Sequence, residues 1–525
     1  MMSRLQYLSL GVLGLTMAVL SAAWVTTPGY MDADYYYAAA RQLVAGGGLS
    51  VPFLWNYLAT GNLSLPQPAH LYWMPLTTFM SAGAMAVFGE SFRAAQLPSL
   101  AFTAVLPLVA AWLARRLGAS PFQALVAGGL AALSGFYLPF FATTDAFSSF
   151  AVIGGLALWL MSRAPELDAK AWLLVGGLAG LGHLARADGA LLLLLAIATW
   201  GLSRPRRFTG LLALAAGYLV IMAGWFVRMW KVTGGPLSPG GLRAAWLTDY
   251  NQLFSYPTDG LTPAHWLESG LGAILQARLQ AAGINLVSLL LVNGLVFLTV
   301  LMGLGLWRNR RTRPARVLAA YLLAEFTVMT VVFPFPGARG GFFHSSTAAM
   351  PLLWALAPQG LDSLVEALQR RWDWQPEQAF KRLGLGTLAI AGVATLFLLA
   401  TRQIVPAQRG QGWGQASATY ASAVAPIRSG GLPQDVVAVN NPPAFWLASG
   451  HPSVVIPDGN PASLQRVVRD FGVRWVVLER NHPPGLDPLY EDPTGLRWLA
   501  LVGTTQDPFG HPVYTLRVVE GALRP

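Results

Sequence analysis

Apolar runs of about 18 to 22 residues, each long enough as a helix to cross a bilayer, recur along the chain. They lie at 5–25, 94–113, 121–141, 146–162, 209–230, 283–307, 315–334, 345–360 and 383–400. The run 171–201 is about 45 Å long as a helix, too long for one crossing. Arg186 and Asp188 interrupt it, so it reads as two short helices meeting at that pair. The run 71–88 is also apolar, but a crossing there turns Arg115 and Arg116 outward and reverses every later loop. It reads instead as a helix lying at the outer interface, which suits Tyr72, Trp73 and Pro75 at its start. Eleven spans follow, with the N-terminus inside and the C-terminus outside. A signal peptide ending near Ser21-Ala22-Ala23 is the alternative reading of the first run, and it leaves the same side outward. From 401, Gly, Pro, Ser and Gln open a linker. The runs 436–439, 454–456, 473–478 and 513–518 then predict strands, and 462–471 predicts a helix. The expected fold is an α-helical polytopic membrane protein over 1–400, with a first outer loop at about 26–93. A small extracytoplasmic α/β domain follows over 401–525.

Charge supports these sides. Of 525 residues 54% are hydrophobic and 11% charged, less than half the charged share of soluble chains, and the mean hydropathy is +0.48. The net charge of +11 raises the question of nucleic acid, but the basic residues sit in short clusters between apolar runs. The predicted inner segments hold 17 of them, including Arg204, Arg206 and Arg207, against 8 in the outer loops between spans. That is the positive-inside pattern of a plasma-membrane protein, and no nucleic-acid partner is expected. The chain has no cysteine, which excludes disulfides and thiolate metal sites.

Once sides are assigned, the outer surface collects the polar residues. The first loop opens with Met31-Asp32-Ala33-Asp34-Tyr35-Tyr36-Tyr37 and also holds Arg41, Asn56, Asn62 and His70. Asp145 marks the next outer turn, Arg186 and Asp188 the one after, and Arg339 and His344 precede the run at 345–360. Carboxylates, cations and aromatics gathered on one membrane face suit an anionic lipid headgroup that bears a sugar. An acid can deprotonate an acceptor hydroxyl, Arg or His can hold phosphate, and aromatic rings can stack on the sugar. Blander roles stand beside these. Asp32 and Asp145 are each placed to cap a helix, and Arg186 with Asp188 to close a turn as an ion pair. Arg339 suits an interfacial anchor, and the Asp32/Asp34 pair also suits a divalent cation. Glu325, inside a span, reads as a hydrogen-bonding residue of the bundle interior. Asn62-Leu63-Ser64 fits a glycosylation sequon, a weak pattern. Phosphate-loop, His-Glu-x-x-His and Gly-x-Ser-x-Gly motifs are absent.

Several ordered motifs resemble the GT-C class of membrane glycosyltransferases, in the branch of protein O-mannosyltransferases and lipid A aminoarabinose transferases. They are Asp32, Tyr35–Tyr37, Arg41 and Gly46–Gly48; Pro68-Ala69-His70-Leu71-Tyr72-Trp73; Phe88-Gly89-Glu90-Ser91-Phe92-Arg93; Thr144-Asp145-Ala146-Phe147; and Leu184-Ala185-Arg186-Ala187-Asp188-Gly189. The resemblance covers about 5–360. It implies transfer of a sugar from a polyprenyl-phosphate donor, in contact with membrane lipids, to a protein, lipid or glycan acceptor on the outer face. It further implies a general base at Asp32 or Asp34, with Asp145 orienting the acceptor or that acid. Binding falls to Tyr35, Arg41, His70, Tyr72, Trp73, Arg186, Asp188, Arg339 and His344. No cofactor is certain; a divalent cation is the open alternative. The family often has Asp-Glu where this chain has Asp32-Ala33-Asp34, and the lysine that often precedes the Pro-x-x-x-Tyr-Trp stretch is missing. Phosphate contact therefore passes to His70, Arg186 or Arg339. A transporter or flippase of an amphipathic lipid is the rival, but such proteins tend to show repeated halves and none is evident.

Overall fold

A computed structural model describes residues 2–59, 64–204, 207–372 and 375–519; Asn62 and Arg206 lie outside the described residues. The helices of the bundle are α1 (Arg4–Trp24), α2 (Met31–Val44), α3 (Leu76–Phe88), α4 (Phe92–Arg116), α5 (Pro121–Ala132), α6 (Phe147–Met161), α7 (Ala169–Ala185), α8 (Ala190–Leu202), α9 (Phe208–Thr233), α10 (Gly270–Val287), α11 (Phe297–Arg308), α12 (Arg313–Thr327), α13 (Met350–Trp372) and α14 (Pro376–Leu399). Among the described residues, six helices are long and apolar enough to cross a membrane, and six shorter apolar ones accompany them. The chain is a multi-pass membrane protein.

Local sequence explains where these helices start and which way they face. Ser3 and Gln6 form a capping box on α1, and Ser120 and Gln123 form another on α5. Helix α1 exposes Leu5, Leu8, Val12, Leu15 and Val19, three or four residues apart, while burying Leu10, Met17 and Ala18. An exposed stripe of that kind is a lipid-facing surface. At the basic end of α4, Arg116 lies 5.2 Å over the Trp112 ring. Glycine sets the closest helix contacts. A Cβ on Gly176 of α7 would strike the Leu214 carbonyl of α9, and one on Gly217 would strike Leu173 in return. Helices α11 and α13 meet the same way, Gly360 against the Leu301 carbonyl and Gly305 against Leu356. Small residues let backbones approach where apolar burial gives helices no reason to associate. Gly360→Leu is therefore expected to cost about 1–3 kcal/mol, seen as a lower thermal midpoint of the purified protein in detergent.

Two predicted spans are interrupted. The run 121–141 stops at Ala132 and resumes in the short helix Tyr137–Phe141, because Gly135 turns left-handed at φ 59°. The helix that begins at Gly270 breaks at 294–296, where Leu295 and Val296 hold φ of 45° and 62°. A left-handed β-branched valine is strained, so packing must hold it there. The two breaks supply that packing to each other. Leu295 occupies the space a Cβ on Gly135 would need, and the Tyr137 hydroxyl donates to Asn293 Oδ1 at 2.8 Å.

Strand β1 (Ser50–Val51) pairs antiparallel with β3 (Gln67–Pro68) inside the first loop. Between them β2 (Phe53–Leu54) leaves that ribbon and joins the C-terminal strands. Those are β4 (Val436–Val439), β5 (Ser453–Val455), β6 (Val473–Leu478), β7 (Leu499–Gln506) and β8 (Pro512–Val518), ordered β2-β5-β4-β6-β8-β7. The first four strands of that order run parallel, and the last two are antiparallel to their neighbours. Helices α15 (Gln415–Gly430), α16 (Pro442–Ser449) and α17 (Pro461–Asp470) accompany the sheet. The segment read as a linker from 401 is thus helical through Gln408 and again in α15. The C-terminal sheet is also not self-contained, since one edge strand comes from the first loop.

Candidate active site

Helix α2 begins at Met31 with Tyr30 as its N-cap, so Asp32 lies in the first turn and caps nothing. Residues two apart on a helix point about 200° apart, and the two acids diverge accordingly. Asp32 faces a cavity of about 730 Å³, with 31% of its side chain open. Asp34 turns away, is buried, and accepts a hydrogen bond from Asn441 Nδ2 at 3.0 Å. Burial raises the Asp34 carboxyl to about 7, against the Asn441 bond.

Opposite Asp32 stands a buried pair. Asp145 precedes α6, whose N-cap is Ala146, so it too is no cap residue. It accepts from the Tyr30 hydroxyl at 2.5 Å and from the Ala146 amide, and its Oδ2 lies 3.0 Å from His344 Nε2. His344 Nδ1 is 2.8 Å from the Gly340 carbonyl, which only accepts, so the Nδ1 proton is spoken for. Facing a carboxylate, Nε2 then carries a second proton or meets a cation. His344 also lies 4.0 Å from Asp32 and stacks on Phe147 at 3.9 Å. Burial opposes charge on Asp145, but His344, Tyr30 and the Ala146 amide more than offset it and hold this carboxyl below its usual range. The same burial, with the Asp145 charge adding to it, lifts Asp32 to about 6 against the pull of His344 and Arg186.

Arg186 closes the next side. It forms a two-pronged pair with Asp188 at 3.0 and 3.1 Å, and its Nη2 reaches Ser345 Oγ at 3.1 Å. Ser345 in turn donates to Asp188. Arg339 lies exposed at the cavity, 4.8 Å over the Tyr250 ring. Tyr72 and Trp73 line the cavity, and Trp73 stacks on Trp55 at 3.9 Å. The remaining sequence candidates do not reach it. Arg41 pairs with Glu90 at 2.6 Å and lies over Trp446. Tyr35 is buried, its hydroxyl taken by the His70 amide at 2.5 Å. His70 sits behind the cavity at φ 63° with Nδ1 at the Trp73 carbonyl, and burial lowers it to about 3. It is therefore neutral there and holds no anion by charge.

Residues 67–230 match the family model of dolichyl-phosphate-mannose-protein mannosyltransferases. No curated protein matches the chain. Among solved structures, the archaeal oligosaccharyltransferase AglB of Archaeoglobus fulgidus, in complex with an inhibitory peptide and a dolichol-phosphate, matches with a TM-score of 0.58. Identity is 14%, over 90% of this chain and 69% of that one. ArnT from Cupriavidus metallidurans matches with TM-scores of 0.57 in the apo state and 0.55 bound to undecaprenyl phosphate. Each is 14% identical and covers 98% of both chains. The chain has the GT-C glycosyltransferase fold.

Within that GT-C fold, sequence reasoning missed Tyr30, His183 and the C-terminal wall of the cavity. Tyr30 directly precedes the opening Met-Asp, and His183 lies three residues before Arg186 and lines the cavity. Both were legible as polar neighbours of candidates. Asn440, Asp458, Asn481 and His482 also line the cavity, each just past the end of a parallel strand. Strand ends of this kind are where such sheets bind ligands, a signal present in the strand pattern itself.

The ligand atoms of Asp32, Asp145 and His344 lie within 4.8 Å of one another. Two carboxylates and an imidazole whose Nδ1 is anchored on a carbonyl fit a divalent cation. This set differs from the Asp32/Asp34 pair expected from sequence, because Asp34 faces away.

Proposed function

We propose that this glycosyltransferase moves a sugar from a polyprenyl-phosphate carrier to an acceptor hydroxyl on the extracytoplasmic face, with Asp32 as general base. The observation that carries the reading is the convergence of Asp32, Arg186, Arg339 and His344, with Asp145 behind His344, on one cavity. That cavity runs from between the helices to the loops. The lipid phosphates bound by AglB and ArnT support a lipid-linked donor. The distribution of basic residues supports the sidedness.

The chemistry is a direct displacement at the anomeric carbon. The acceptor oxygen gives its proton to Asp32 as its bond to that carbon forms. The bond from the carbon to the phosphate oxygen breaks, and its electron pair leaves on the lipid phosphate. Arg186 and Arg339 stabilise that charge; Arg186 is already oriented by Asp188 and Ser345. Asp145 fixes the ring orientation of His344 beside Asp32. A divalent cation held by Asp32, Asp145 and His344 would supply further charge neutralisation at the phosphate.

The test is incubation of the purified chain with a panel of polyprenyl-phosphate sugars. Release of polyprenyl phosphate is expected. A chain that consumes none, but moves a lipid-linked sugar across vesicles, is a transporter instead. Two further outcomes follow. The base must be ionised, and burial lifts Asp32 to about 6. Transfer is therefore expected to rise with pH through about 6 and then level, measured as kcat/KM against pH. Arg339 is exposed and has no carboxylate partner among the described residues. Arg339→Ala should accordingly raise the donor KM about tenfold while leaving the thermal midpoint unchanged.

A further inference from the structure

Three parallel strands, β4, β5 and β6, end at the cavity. The residues just beyond them, Asn440, Asp458, Asn481 and His482, form its wall on the side away from the bundle. This wall is built rather than incidental. The Asp458 amide donates to the Phe254 carbonyl at 3.0 Å, joining the strand end to the long loop after α9. The two ring nitrogens of His482 are engaged, Nδ1 with the Glu479 carbonyl at 2.6 Å and Nε2 with Asp487 at 3.1 Å. Glu479 accepts from the Tyr420 hydroxyl at 2.7 Å, and that hydroxyl accepts from the Asn441 amide. Asn441 is the residue that holds Asp34 on α2, on the helix face opposite Asp32. The wall is thereby tied to the helix that carries the base.

We infer that this wall is the acceptor subsite and that the acceptor is a neutral, hydroxyl-rich glycan. The inference rests on the donor reading above: a lipid-linked donor comes from the bundle, which leaves the opposite wall to the other substrate. The wall's chemistry then selects the class. Planar amides and a carboxylate hydrogen-bond to hydroxyl groups, and the stacked Trp55 and Trp73 rings offer an apolar face to a sugar ring. Among the described residues, those of the C-terminal part that line the cavity include no lysine or arginine, and Asp458 adds a carboxylate. That disfavours a phosphorylated acceptor. A peptide would seek an open sheet edge, but neither edge strand, β7 nor the two-residue β2, contributes a residue to the cavity.

The experiment uses the full-length chain in lipid vesicles with labelled polyprenyl-phosphate sugars. It offers neutral oligosaccharides, Ser/Thr-containing peptides and phosphorylated glycolipids as acceptors. Label is expected on neutral oligosaccharides. Asn481→Ala, at an exposed position, and Asp458→Asn, which keeps the side-chain volume, should each raise the oligosaccharide KM about tenfold. A donor KM that rises as much as the oligosaccharide KM assigns the wall to the donor and overturns the inference. Label only on peptides or only on phosphorylated glycolipids overturns the inference, as does an oligosaccharide KM that neither variant moves. A chain that consumes no donor under any condition refutes the function reading and the subsite with it, so the two failures are distinguishable.

Discussion

Asp32→Asn is expected to lower kcat/KM for sugar transfer by about three orders of magnitude, within the range a positioned general base contributes, with the protein still folded. The asparagine keeps the size and one carbonyl oxygen but cannot take the acceptor proton. Asp32 packs no helix contact that the amide would break, because its carboxylate faces the cavity and a third of it is open. Donor binding should survive, since Arg186 and Arg339 lie on other elements, so the loss should appear in kcat. Asp34→Asn is the internal control. It keeps a partner for Asn441 and should cost transfer far less. Equal losses from both variants, or undiminished transfer by Asp32→Asn, would sink the assignment. The measurement is initial rates of labelled-sugar transfer, with thermal melts to confirm folding.

Asp145→Ala should lower stability as well as transfer, because it removes structure as well as chemistry. Asp145 is 2% exposed, and three groups converge on it: the Tyr30 hydroxyl and Ala146 amide as donors, and the His344 ring at 3.0 Å. With the carboxylate gone, a buried hydroxyl and a buried imidazole lose their acceptor, which costs about 1–3 kcal/mol per group. The melting temperature should fall, and transfer should drop about a hundredfold or more as His344 loses its orientation. Asp145→Asn separates the two effects. It retains an acceptor oxygen, so it should recover much of the stability while transfer stays low. Recovery of both would mean that Asp145 acts through packing alone.

The sequence reading located much of this site but not its connections. Side assignment brought Asp32, Asp145, Arg186, Arg339 and His344 to one face without any contact being known. The 3.0 Å approach of His344 to Asp145 joins residues 199 apart, and no local pattern encodes it. The choice between Asp32 and Asp34 stays open in the sequence because Asp32-Ala33-Asp34 stands where the family often has Asp-Glu. In the structure α2 begins at Met31, which puts both acids in the first turn, and helical geometry sends them to opposite faces. Strand runs at 436–439 and 473–478 coincide with β4 and β6, where β-branched residues are dense. Helix α15 reads as linker by composition, because Gly, Pro, Ser and Gln open the segment from 401. Its buried Tyr420, Ala423, Val424 and Ile427 nonetheless sit at helical spacing, a signal that was present. Strand β2 offered no signal at all: two residues, Phe53 and Leu54, make a strand only because β5 is there to pair with.

That borrowed strand bears on how the protein is made. The Tyr57 hydroxyl reaches the Val455 carbonyl across 398 residues of chain. On a ribosome, the loop that carries Asp32 emerges well before its sheet partner β5, with 398 residues separating Tyr57 from Val455. The loop must therefore stay unfinished until β5 has been made. Closing so long a stretch is a slow, late event in folding. A chain cut near residue 400 would lack the mould in which its own first loop sets.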